Sequence, residues 1–81
     1  MRRLDNDKLI ITQCLNQPEV AALHVEFTED SEIEDVLFCD IFRAIKLCFE
    51  EIGNVNVEVI FKHLTEDSRK ECVKLIIECM I

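Results

Sequence analysis

Apolar residues recur along this chain at intervals of three and four, the spacing that gathers side chains onto one side of an α-helix. In "CDIFRAIKLCFEEIG", residues 39–53, the side chains of Ile41, Phe42, Ile45, Cys48, Phe49 and Ile52 fall within an arc of roughly 120°. Gly53 stands where a left-handed C-terminal cap is wanted. The spacing predicts a central core helix, with Leu47 off its stripe and open to a partner. Nearer the start, Leu4, Ile11, Cys14 and Leu15 lie on one face with Ile10 at its edge, which predicts a first helix over 4–15 ending near Asn16. Pro18 then opens a second, short helix through about Leu23. Proline is disruptive inside a helix but acceptable in its first turn, and Glu19 favours the positive end of the helix dipole.

Between these helices lies "EFTEDSEIED", residues 26–35, with six acids in ten residues. A calcium-binding EF-hand loop is excluded, because Asp35 stands where that loop needs its turn glycine and Ile41 where it needs a bidentate Glu. The stretch reads as a solvated loop, in which Ser31 and Glu34 have the spacing of a capping box. Beyond Gly53, "NVNVEVIFKHL" begins like a strand, but three alternations with nothing to pair with make a poor one. Asn56 is a good N-cap, and Val57, Ile60, Phe61 and Leu64 follow helical spacing, so a helix is predicted. Thr65 caps a last helix with Glu66 and Asp67 in its first turn.

That last helix carries too much apolar surface for one face. From Cys72 to Ile81 eight of ten residues are apolar, and they spread over roughly 240° of the helix circumference. Cys72, Val73, Ile76 and Met80 lie at the middle of the arc and are expected in the core. Leu75 and Cys79 flank one side, Ile77 and Ile81 the other, and at least one flank is expected to meet a partner. Leu47, Leu75, Ile77, Cys79 and Ile81 are therefore the candidate partner-binding residues. The plainer alternative is that neighbouring helices wrap this helix on both sides.

Composition agrees with an all-α, compact bundle of four to five short helices forming one domain over residues 1–81. The chain is 49% hydrophobic with one Gly and one Pro, and lacks the regular turn signals of a β-sandwich. Its apolar runs are too short to span a bilayer, and "MRRLDNDK" lacks the apolar core of a signal peptide, so a soluble, cytoplasmic protein is expected. A net charge of −8 opposes a phosphate backbone, so no direct nucleic-acid partner is expected. The five cysteines are odd in number, and Cys14, Cys48, Cys72 and Cys79 sit among apolar residues. They read as reduced core thiols, and without a close Cys pair no metal or other cofactor is expected.

Catalysis would need a nucleophile beside a base, or paired carboxylates in an enclosed cleft. The acids here cluster in the loop, and His24 and His63 each stand alone near a helix end, so no catalytic residue is assigned and no enzyme is expected. The corner from residue 50 to residue 77 also has the outline of a DNA-binding helix-turn-helix, with Lys62, Arg69, Lys70 and Lys74 as a basic group. Its second helix, however, begins "EDS", acidic where base contacts would be made.

"IITQCLNQPEVAAL" followed by "LFCDIFRAIKLCFEEIGNVNVEVIFKHL" resembles the helicase-binding domain at the C-terminus of bacterial DnaG-type primases, and is similar to the N-terminal domain of the DnaB-type replicative helicase. The resemblance covers roughly residues 8–64. It rests on the corner Asn16, Gln17, Pro18, Glu19 and Val20, the helix around Phe42, and the pattern from Val59 to Leu64. It implies a non-catalytic interaction module that docks on the replicative helicase and couples it to priming in DNA replication. The family's domain continues past the point matching Ile81 into a long helix and a terminal hairpin, so the chain is expected to be either a fragment or a stand-alone module. An acidic helix-turn-helix-like DNA-associated regulator and a homo-oligomerising adaptor, such as a homodimer, are the alternatives.

Overall fold

The computed structural model describes residues 3–80 of the chain, with side chains described for residues 7–78. Five α-helices follow one another: α1 (Arg3–Asn16), α2 (Pro18–Phe27), α3 (Val36–Ile52), α4 (Val57–Lys62) and α5 (Glu66–Met80), with a 3-10 turn at Asp30–Glu32 between α2 and α3. No strand occurs among the described residues, so the fold is the all-α bundle that the apolar spacing predicts.

The α1–α2 corner is a single residue. Gln17, extended at φ −129° and ψ 95°, has the backbone that the residue before a proline is restricted to. Its N–H still donates to Gln13 O at 2.9 Å and its carbonyl accepts from Ala21 N at 2.9 Å, so both neighbouring helices are closed at the corner. Pro18 occupies the first helical position, where no backbone N–H is needed. α2 runs to Phe27, about a turn past the expected end at Leu23. Thr28 N closes it on His24 O at 2.8 Å, and the His24 ring joins Thr28 Oγ1 (3.0 Å) to Gln13 Oε1 (3.2 Å) on α1.

The acidic stretch is more ordered than its composition suggests. Glu32, rather than Glu34, reaches back to a backbone N–H, accepting from Glu29 N at 2.6 Å, which moves the capping interaction two residues toward the N-terminus. Asp35 caps α3, accepting from Leu37 N (3.0 Å) and Phe38 N (3.1 Å), so the central helix begins at Val36 rather than Cys39. A second carboxylate lies just ahead of it. Asp7, on α1 and only 1% exposed, accepts from Glu34 N at 3.1 Å and Asp35 N at 3.0 Å. The buried acid thus ties α1 to the entry of α3.

α3 ends at Gly53, whose φ of +68° is the left-handed value a side chain would resist. α4 is a helix and not a strand, capped by Asn56 Oδ1 on Val59 N at 3.2 Å. Thr65 Oγ1 accepts from Ser68 N at 3.2 Å and donates to Ser68 Oγ at 3.0 Å; the Ser68 hydroxyl in turn donates to Asp40 on α3 at 3.0 Å. That chain satisfies the buried Ser68 and anchors the start of α5.

α3 packs against each of the other four helices. Ile41, Phe42, Ile45 and Cys48 are fully buried on it, with Ile11 and Cys14 from α1, Ala21 from α2, Ile60 from α4, and Cys72 and Leu75 from α5. Three expectations are corrected. Ile52 is 49% exposed, because it is the last residue of α3 and the stripe runs out past its neighbours. Val73 is 39% exposed rather than core, and Leu75 is buried at 2% rather than offered to a partner. α5 is rotated so that the Cys72–Leu75 side of its arc meets α3, which turns Val73 outward.

Candidate partner-binding surface

The outward side of α5 forms one wall of a groove. Phe61 of α4 and Val73 of α5 supply its apolar surface, and Glu66, Arg69, Lys70 and Lys74 surround them; the volume is about 400 Å³. The local chain makes this shape for two reasons. α4 is only six residues long, so it covers only part of α5. Arg69 Nε donates to Phe61 O at 3.1 Å, a carbonyl that also accepts from Leu64 N at 3.2 Å, and this fixes one cation at the rim. Lys70 lies 3.9 Å from Glu66 and Lys74 3.8 Å from Glu71. The first pair is exposed and the second partly so, and neither is strong; with three cations against Glu66 the rim is net positive on a chain of net charge −8. Ile77, one turn past Val73, is 52% exposed and extends the apolar strip.

The five candidate residues therefore separate. Ile77 lies on the exposed side of α5 beyond the groove. Leu75 is withdrawn from the surface into the core. Leu47 is 41% exposed on α3 but does not line the groove. The side chain of Cys79 and residue Ile81 lie outside the described residues. Phe61 and Val73, the two that shape the groove, escaped the sequence reading. Their only signal there was the Val73–Ile77 spacing on α5, and the approach of Phe61 depends on the angle between α4 and α5.

Other exposed apolar residues lie near acids in the sequence. At the end of α2, Leu23 is 57% and Phe27 71% exposed, and Val36 at the start of α3 is 73% exposed. Glu26 and Glu29 flank Phe27 in sequence. Asp30 behind them is held by Lys46 Nζ at 2.8 Å and Arg43 Nε at 3.3 Å. The hydrogen bond from Lys46 is the main cause of its lowered pKa, with Arg43 adding to it and partial burial opposing it. Lys46 also lies 4.9 Å from the centre of the Phe42 ring, a cation–π contact that ties the acidic corner to the core.

A further cleft of about 370 Å³ separates α1, the start of α3 and α5, with Phe38 and Leu75 among its lining residues and Lys8 and Glu78 at its mouth. These two form an ion pair at 2.8 Å. Neither cleft brings a nucleophile to a base. His63 Nε2 meets Glu51 Oε1 at 3.2 Å on the surface, and His24 is engaged between α1 and α2. Burial pushes the thiol of Cys14 up to about 12 and that of Cys72 up to about 11, so both stay protonated and unreactive at neutral pH. Cys48 Sγ donates to Asn54 O at 3.0 Å, joining α3 to the loop before α4. Cys14, Cys39, Cys48 and Cys72 are unpaired. Among the described residues no group of three His, Cys, Asp or Glu could hold a metal ion, and no helix is long and apolar enough to cross a membrane.

Compared with family models, curated proteins and solved structures, the chain matches none.

Proposed function

We propose that this chain is a non-catalytic helical interaction module whose docking face is the α4–α5 groove. The observation that carries the reading is an apolar groove rimmed by three cations and a single acid on a strongly acidic chain. An exposed apolar surface rimmed by polar groups is the usual form of a protein-binding site. The resemblance of residues 8–64 to the primase helicase-binding domain suggests the partner, a hexameric DnaB-type helicase whose unwinding the module couples to priming. The buried, unpaired thiols fit a reducing cytoplasm.

Titration of such a helicase with the protein should give saturable binding and raise its ATPase or unwinding rate. Val73→Glu should weaken that binding at least tenfold while leaving the helical circular dichroism spectrum intact. If no saturable binding occurs, the helicase is not the partner.

The exposed cations Lys62, Arg69, Lys70 and Lys74 favour one other reading, docking on DNA. Its signature is an affinity that falls steeply with salt. Against it, Glu66 and Asp67 occupy the first turn of α5, where a recognition helix meets the bases.

A further inference from the structure

We infer that the α4–α5 groove of one copy takes the Phe27 corner of a second copy, so that the protein assembles head to tail. The inference rests on the reading of the groove as a docking face but not on the identity of its partner. It makes self-assembly a competitor of that partner for one site.

The molecule carries two exposed apolar patches of opposite electrostatic character. One is the groove, with Phe61 and Val73 inside and Arg69, Lys70, Lys74 and Glu66 around them, three cations against one acid. The other is the end of α2, with Phe27 at 71% exposure between Glu26 and Glu29 in the sequence. Each supplies the charge that the other lacks, and one contact would cover the apolar surface of both.

The knob is also fixed in place. Thr28 N closes α2 directly after Phe27, and the His24 side chain is held between α1 and Thr28, so little backbone freedom is lost on docking. The backbone under Phe27 is therefore ordered before docking, and its exposed ring is the apolar surface that a contact would cover.

A chain cannot fill its own groove. α2 packs against α1 and α3, while the groove lies between α4 and α5, and both belong to the packed fold. The contact joins two different surfaces: each added copy presents a free groove at one end and a free corner at the other, giving open chains unless the geometry closes them into a ring or a reciprocal pair. The net charge of −8 opposes this at long range. At physiological ionic strength the screening length is about 8 Å, well below the 24 Å of the molecule's shortest dimension. Repulsion between whole molecules is then damped while ion pairs at the contact persist. Association should consequently rise from low salt to about 0.15 M and fall again in molar salt.

Sedimentation velocity of the protein alone tests this. Wild type should show concentration-dependent species larger than a monomer at about 0.15 M salt. Phe27→Ser and Val73→Glu should each be monomeric, with at least tenfold weaker association and an unchanged helical spectrum. Mixed in equal amounts, they should form a 1:1 pair that grows no further, because one variant keeps the groove and the other keeps the corner. Lys70→Glu replaces Val73→Glu if the latter loses helix. A wild type that stays monomeric up to on the order of 1 mM, or oligomers that survive Phe27→Ser, would overturn the inference. The two readings fail separately: Phe27→Ser should leave helicase binding intact, whereas Val73→Glu should lose both.

Discussion

α3 and α5 are of similar length and both rich in apolar residues, yet the bundle treats them differently. α3 confines its large apolar side chains mostly to one stripe, and Ile41, Phe42, Ile45 and Cys48 on that stripe are fully buried. α5 spreads them around most of its circumference; Cys72 and Leu75 are buried while Val73 and Ile77 remain at the surface. The lesson is that apolar content decides how much of a helix could be buried, while the number of neighbours decides how much is. α3 has four helices around it. α5 packs against α3 and α1 and borders a six-residue α4 that covers only part of it.

Reversing the roles of two residues on α5 should break this contrast most sharply. Leu75→Glu places a carboxylate among apolar side chains, and a domain of this size has a total stability on the order of 4–12 kcal/mol. The cost of an unpaired buried charge is of that order. The variant should lack a cooperative thermal transition, and a normal melt would mean that Leu75 is not core.

Asp7→Ala comes next. It leaves the amides of Glu34 and Asp35 without their acceptor and should lower stability by about 1–3 kcal/mol in chemical denaturation. Asp7→Asn, which keeps an accepting oxygen, should recover part of the loss. Equal losses in the two would mean that the negative charge, rather than the acceptor, matters there.

Alkaline titration probes the core from both helices. The folded-state pKa values of Cys14 and Cys72 lie above the ordinary thiol value of 9.0. The unfolded chain therefore loses these protons first, and stability is fully present below pH 9 and falls as pH rises from there toward 11 and 12. By one unit above the ordinary value each thiol should account for about 1.4 kcal/mol. The double variant Cys14→Ala, Cys72→Ala should flatten that decline relative to wild type, and an unchanged slope would show that the thiols are not its cause.

Ile77→Glu is the smallest effect on the fold. At an exposed position it should shift stability by no more than about 0.5 kcal/mol. A loss comparable with that of Leu75→Glu would erase the distinction between the two sides of α5.

The helices were legible in the sequence because their signals are local: the stripe around Phe42, the proline at the first turn of α2, the glycine after Ile52, the Asn56 and Thr65 caps. What escaped the reading depends on how helices meet. The 240° arc on α5 left two outcomes open, a flank turned to a partner or a helix wrapped on both sides, and did not tell that Val73 would be exposed and Leu75 buried, since that follows from the rotation of α5 against α3. The groove required Phe61 to lie beside Val73 across a turn. Asp7 carried no signal at all, because an acid in an N-terminal helix ordinarily faces water and its acceptors' partners lie 27 and 28 residues away.

That last contact gives the chain a built-in reporter. The amides of Glu34 and Asp35 are protected by a side chain on another helix, so their exchange with solvent deuterium requires α1 to move away from α3. Amides within α1 also exchange by fraying of its own turns. The difference between the two sets would read out the free energy of docking the N-terminal helix separately from that of keeping it helical.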